Sequence, residues 1–229
     1  MLYATLKLLC RGTAGAFFRY RAFGSANVPA TGAALLAANH ESFLDPPLVG
    51  VGTPRPLHFL AKAELFRVPL LGSLVRRLNA HPVAREGADM GALRLALALL
   101  REGQALLVFP EGTRGDGGRL GPAKAGVGMV AALSEAPVIP VYVHGSGRAL
   151  PRGARYPRVT RISVTYGEPL RFPRVRGKAR YQVISDEIMA AIGRLKADVE
   201  GAVVPAAARS ATDQADWTAH GPLPMGQLH

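Results

Sequence analysis

The chain of 229 residues contains one cysteine, Cys10. An intramolecular disulfide is thereby excluded, and with no Cys/His cluster at zinc spacing the sequence predicts no metal site and a reducing, cytoplasmic setting. Nor is there an uncharged apolar run of the roughly 18 residues that a spanning helix needs. Lys7, Arg11, Arg19 and Arg21 break the N-terminal apolar stretch, and Arg94 breaks a later one. The same early charges, with no small-residue cleavage site after them, argue against a cleavable signal. Acidic residues are also few: 16 Asp and Glu against 28 Lys and Arg give a net charge of +12. Such a balance calls for an anionic partner, with nucleic acid, an anionic membrane and phosphorylated small molecules all open. No repeat of solenoid length is present.

What is present suits a compact fold. The composition is 48% hydrophobic, with 26 Gly and 18 Pro, enough for a core and many turns. The expected organisation is an N-terminal amphipathic membrane-surface helix over 1–22, one folded domain over 23–200 and a disordered tail over 201–229.

At helical period Leu2, Leu6, Leu9, Thr13, Phe17 and Tyr20 form a stripe, with Lys7, Arg11 and Arg19 largely opposite. This is a basic amphipathic helix, which either packs on its own domain or lies flat in a lipid interface. Short apolar runs at Ala33 to Ala38, His58 to Ala61, Ala105 to Phe109, Val138 to Val143 and Arg161 to Tyr166 read as strands. Helices are expected over Ala88 to Arg101, after Lys124, and over Arg180 to Lys196. This alternation predicts a single layered α/β domain, with a largely parallel mixed sheet flanked by helices and ligands gathered where strands end. From Gly201 the chain turns to Ala, Pro, Thr and Gly without a sustained period, hence the tail.

Asn39-His40-Glu41-Ser42-Phe43-Leu44-Asp45 follows one apolar run and precedes Pro46-Pro47. On a regular helix His40 and Asp45 would point about 140° apart, so a turn must lie between them if they pair. Pro46 disfavours helical geometry at Asp45 and is tolerated at a first helical position. Asp45 is therefore expected as a helix N-cap, with His40 in the loop before it. The carboxylate could then hold one imidazole nitrogen and leave the other as a base toward a hydroxyl. The alternative is a cap beside an ordinary loop histidine.

Phe109-Pro110-Glu111-Gly112-Thr113-Arg114 follows a strand and opens a Gly-rich loop. An Arg in a loop at a strand's carboxyl end can grip a phosphate through two parallel hydrogen bonds, and Gly112 permits close backbone approach. The alternative is a surface turn whose Arg pairs with Glu111.

In this order and about 70 residues apart, with Val138-Ile139-Pro140-Val141 as a further apolar motif, the two segments resemble the glycerophospholipid acyltransferase family. That family includes the bacterial 1-acylglycerol-3-phosphate acyltransferases. The resemblance covers roughly Phe23 to Arg180. It implies His40 as general base, oriented by Asp45. It also implies Glu111, Gly112, Thr113 and Arg114 at the glycerol-phosphate acceptor, with Lys62, Arg85 and Lys124 as further substrate-binding positions. The block Leu78-Asn79-Ala80-His81-Pro82-Val83-Ala84-Arg85 departs from the Gly- and Ile-rich lead-in of relatives, though its Arg survives.

The implied reaction moves an acyl group from a thioester, acyl-CoA or acyl carrier protein, to the sn-2 hydroxyl of 1-acyl-sn-glycerol 3-phosphate. No other cofactor is expected. Thioesters are already activated, so a base acting on the acceptor hydroxyl suffices without a covalent intermediate, and no Gly-x-Ser-x-Gly elbow occurs. Asn39, Ser42 or nearby backbone N–H groups are expected to support the oxyanion. The partners expected are a lysophospholipid acceptor, the thioester donor and an anionic membrane, placing the protein peripherally on the cytoplasmic side of the cell membrane.

Other readings fit less well. Gly126-Val127-Gly128-Met129-Val130-Ala131 matches a loose dinucleotide fingerprint but follows no strand. His40-Glu41 lacks the second His of a zinc protease, since Leu44 stands there. The stretch Arg148 to Arg180 holds ten basic residues and one Glu, but few aromatics and no nucleic-acid motif. It reads as a solvated face or an anionic-lipid contact. A lipid hydrolase, another lysolipid acceptor and a non-catalytic basic lipid-binding protein remain as alternatives.

Overall fold

The computed structural model describes residues 2–69, 71–83, 90–115 and 118–219. In chain order the elements are α1 (Leu2–Phe18), β1 (Arg21–Phe23), β2 (Ala34–Ala38), α2 (Asp45–Gly52), β3 (His58–Lys62), α3 (Leu71–Arg77) and β4 (Ala80–Val83). They continue with α4 (Met90–Arg101), β5 (Ala105–Val108), α5 (Ala125–Ser134), β6 (Val138–His144), α6 (Ser146–Ala149), β7 (Ser163–Tyr166) and α7 (Lys178–Ala219). The chain divides into a compact unit Met1–Leu195 and a second unit Lys196–His229.

The first unit is built on a seven-stranded sheet in the order β1-β7-β6-β2-β5-β3-β4. Strand β2 pairs in parallel with β5 on one side and β6 on the other, and β6 pairs antiparallel with β7. The expected α/β architecture is therefore present. Every residue of β2 is fully buried, as are Val138 and Ile139 of β6, which is why these runs are continuously apolar rather than alternating. The chain reaches β3 on one flank of β2 and β6 on the other, so the crevice at the carboxyl ends of β2, β5 and β6 lies where the winding changes direction.

Two strands were not anticipated. Both β1 and β4 are edge strands of three and four residues, too short for a clear alternation. Pro82 inside β4 reads against a strand, but an edge position tolerates the missing N–H. The expected N-cap also differs: α2 begins at Asp45 itself, its N-cap is Leu44, and no side chain caps it. Asp45 is turned back toward the preceding loop instead.

Helix α1 packs on its own domain through a face that overlaps the predicted stripe only in part. Ala14 is buried, and Phe18 and Tyr20 pack against the core. Lys7 Nζ donates to the Thr53 carbonyl at the end of α2, where the free carbonyls of a helix end attract a cation. That contact turns Lys7 inward and leaves Leu8, Leu9 and Phe17 exposed.

Helix α2 is clamped by two phenols. The Tyr20 and Tyr166 hydroxyls donate to the carbonyls of Leu48 at 2.8 Å and Val49 at 2.5 Å. Burial pushes both phenols above the usual tyrosine range, so they stay protonated as donors.

Helix α5 explains the Gly126-Val127-Gly128 pattern. A Cβ on Gly128 would sit 2.0 Å from the Tyr181 carbonyl oxygen, so the glycine lets α5 touch α7. Its N–H donates to Ser185 Oγ at 3.0 Å.

In the second unit α7 continues to Ala219, past the end predicted at Lys196. Lys196 pairs with Glu200 at 2.5 Å. Ala-rich sequence has high helix propensity even where no apolar period marks it. Of that tail, 220–229 lies outside the described residues.

Candidate active site

The two motifs leave adjacent strands at the same level. Ala37 of β2 stands opposite Val108 of β5, so the next residues, Asn39 onward and Phe109 onward, emerge side by side. Asn39 ends the strand by joining the neighbouring one. Its amide donates to the Val143 carbonyl at 3.1 Å and its Oδ1 accepts the Val143 N–H at 2.7 Å, so the side chain replaces a ladder partner where the backbone turns away.

Beyond it the chain folds into a tight loop around one carboxylate oxygen. Asp45 Oδ2 accepts the N–H of Glu41 at 2.7 Å, the N–H of Ser42 at 2.8 Å and His40 Nδ1–H at 2.8 Å. Oδ1 is buried with no hydrogen-bond partner among the described residues. This is the turn that the spacing demanded, achieved by a carboxylate organising the loop before it. With Nδ1 donating to Asp45, Nε2 is the nitrogen left to accept a proton. It has no protein partner among the described residues.

The imidazole is held on its flat side as well. Phe109 stacks on it with ring centroids 3.9 Å apart and planes at 19°, and His40 keeps 17% of its side-chain surface open. An imidazole fixed by a carboxylate at one end, stacked below and open at the other nitrogen can act as a general base.

The second motif is tied to the first through Glu111. The buried carboxylate accepts the His40 N–H at 3.1 Å and the Gly121 N–H at 2.9 Å, and the Gly115 N–H donates to the His40 carbonyl at 2.7 Å. Glu111 thus holds the backbone of the His40 loop in place. Gly112 sits at φ +67°, and a Cβ there would lie 2.9 Å from Lys124 Cδ, Cε and Nζ. Only glycine fits both conditions.

Arg114 does not pair with Glu111. Its guanidinium lies over the Phe43 ring at 3.7 Å from the centroid, a cation–π contact that joins the motifs a third time. Thr113, Gly115, Arg119, Gly121 and Lys124 line a cavity of about 440 Å³ beside this loop, with Glu111 in its wall. Lys62 ends β3 and is exposed. Arg85 lies outside the described residues. The Ser42 hydroxyl donates to the Leu150 carbonyl at 3.1 Å. Asn39 and Ser42 therefore brace the loop.

Phe43, Phe109 and Arg119 were not singled out from the sequence. The aromatics lay within the motifs, but nothing in spacing reveals a stacking partner. Among the described residues no group of three or more His, Cys, Asp or Glu is gathered as a metal would need.

A family model described as "Acyltransferase" matches residues 19–144. The chain belongs to this acyltransferase family. The 1-acyl-sn-glycerol-3-phosphate acyltransferase of Bacillus subtilis (strain 168) is 29% identical over 182 residues, covering 77% of this chain and 87% of that protein. A chloroplastic protein of the same description from Arabidopsis thaliana is 32% identical over 142 residues, and the match spans 39% of its length. The crystal structure of the 1-acyl-sn-glycerophosphate acyltransferase PlsC from Thermotoga maritima superposes with a TM-score of 0.68 at 26% identity. It covers 85% of this acyltransferase and 81% of the other chain. Both motifs fall inside the matched span, and so do β1 to β6.

Proposed function

We propose that this acyltransferase moves a fatty acyl group from acyl-CoA or acyl carrier protein to the sn-2 hydroxyl of 1-acyl-sn-glycerol 3-phosphate, forming phosphatidate. The observation that carries the reading is the His40–Asp45 pair, with Arg114 stacked on Phe43 of the same loop. His40 Nε2 takes the proton of the acceptor hydroxyl as its oxygen bonds to the thioester carbonyl carbon. The tetrahedral intermediate then expels the thiolate, which recovers the proton from His40. Asp45 stabilises the imidazolium that forms between these steps.

Recognition of the acceptor phosphate falls to Arg114, held ready by Phe43, with Lys62, Lys124 and Arg85 as further positive positions. The names of the relatives support the acceptor, and the charge of +12 suits an anionic lipid. We place the protein peripherally on the cytoplasmic face of the membrane. Among the described residues no helix is long and apolar enough to cross a bilayer.

The test supplies a labelled acyl thioester, on CoA or on carrier protein, with a panel of lysolipids and identifies the product. Labelled phosphatidate from the phosphorylated acceptor is expected. Free fatty acid formed at the same rate without acceptor would point to a hydrolase, and no turnover to a binding protein.

A further inference from the structure

Loop 151–161 joins α6 to β7 and carries Arg152, Arg155, Arg158 and Arg161, with no Asp or Glu anywhere between Glu135 and Glu168. Within it Tyr156 and Val159 are 78% and 76% exposed, more than Leu8, Leu9 or Phe17 of α1. The loop is nevertheless anchored. The Arg158 N–H donates to the Ala149 carbonyl at 2.7 Å and the Ala154 N–H to the Pro151 carbonyl at 3.1 Å. Its ends are fixed to functional neighbours: the Leu150 carbonyl receives the Ser42 hydroxyl from the catalytic motif, and the Ile162 N–H donates to the Phe18 carbonyl at the end of α1 at 3.0 Å. Helix α1, which that end meets, exposes Leu8, Leu9 and Phe17.

We infer that loop 151–161 docks on an anionic bilayer surface, inserting Tyr156 and Val159 among the head groups while Arg155, Arg158 and Arg161 meet the lipid phosphates. The chemistry is that of an interfacial element. Tyrosine is favoured where one end is apolar and the other wet, and cations near an anionic leaflet are attracted within a Debye length. An acidic carrier protein would also be drawn to these arginines. A contact made by charge alone, however, would not require the Tyr and Val between them to face solvent. Because the loop follows directly on Leu150, which is bonded to Ser42, docking brings the catalytic motif to the lipid. This rests on the reading that the acceptor is a membrane lipid.

The experiment measures partition of the full chain onto vesicles of phosphatidylcholine mixed with phosphatidylglycerol, and onto phosphatidylcholine alone. Binding to the anionic vesicles is expected, and Tyr156→Ser with Val159→Ser should lower it by about tenfold or more. Arg155→Gln and Arg158→Gln should each lower it about fivefold at low salt, with the difference shrinking as salt is raised. Turnover of short-chain, water-soluble substrates without vesicles should be unchanged in every variant, which separates this inference from the acyl-transfer reading. Loss of turnover in the unaltered chain with loop-dependent vesicle binding intact would sink only the latter. Vesicle binding that none of these substitutions weakens overturns the lipid dock. So does a double variant that keeps vesicle binding but loses turnover only with a carrier-bound donor, because the loop would then receive a protein.

Discussion

Glu111 grips His40 by its backbone, 71 residues away in sequence, while its other oxygen holds Gly121. One buried carboxylate thus spans the catalytic loop, the Gly-rich loop and the strand end between them. Glu111→Gln leaves a single oxygen for two N–H donors. Because a buried donor without a partner costs about 1 to 3 kcal/mol, we expect a melting temperature several degrees lower and a fall in kcat larger than the change in KM. Unchanged kcat in a folded Glu111→Gln protein would separate the brace from the chemistry.

Asp45 allows a cleaner test than removal. Asp45→Asn can keep its oxygen on the Glu41 and Ser42 N–H groups and on His40 Nδ1, while the partnerless Oδ1 position takes the amide nitrogen. The loop should persist and the charge facing the imidazolium be lost. We expect kcat to fall about 10²-fold with near-normal thermal stability, and His40→Ala to fall further, by about 10² to 10⁴. Transfer surviving in folded His40→Ala would remove the base mechanism.

Arg114 and Phe43 should act as a unit. Arg114→Ala is expected to raise KM for the phosphorylated acceptor by about tenfold to a hundredfold, with a smaller effect on the thioester donor. Lysine in its place should recover only part, since it lacks the planar fork and stacks poorly. Phe43→Ala should resemble a weaker Arg114 variant, because it removes a platform worth about 0.5 to 1 kcal/mol at an open site. Acceptor and donor kinetics measured separately decide the point.

Gly112 is constrained twice. Gly112→Ala at φ +67° with Lys124 in the way should cost about 1 to 2 kcal/mol from backbone conformation and displace the Lys124 side chain. Urea unfolding should show a lower midpoint with an unchanged slope.

A pair of histidines at the opposite end of the sheet should make stability depend on pH. His58 Nδ1 lies 2.9 Å from His81 Nε2 across β3 and β4. Burial lowers both pKa values below the ordinary imidazole range, and His81 lowers that of His58 further. Each therefore binds its proton more weakly folded than unfolded, so stability is present above the unfolded pKa near 6.5 and lost as pH falls through the depressed folded values. Melting temperature should drop between neutral and mildly acid pH, and drop less in His81→Gln. Equal acid sensitivity in the two would assign the effect elsewhere.

The sequence alone determined much of this. Continuous apolar runs, which only a strand buried on both faces requires, located β2, β5 and β6. The five-residue step from His40 to Asp45, followed by two prolines, called for a bend if the two were to pair. Both are local consequences of backbone geometry, and so they are legible in order along the chain. The tertiary structure decided what depends on partners distant in sequence. It put α1 on its Lys7 and Ala14 face because Thr53 offers a carbonyl there. It tied Glu111 to the backbone of His40, set Phe43 and Phe109 against Arg114 and His40, and bonded the Asn39 and Ser42 side chains to Val143 and Leu150. A side chain's type fixes which bonds it can make, but only the packed sheet fixes which partner comes within 3 Å of it.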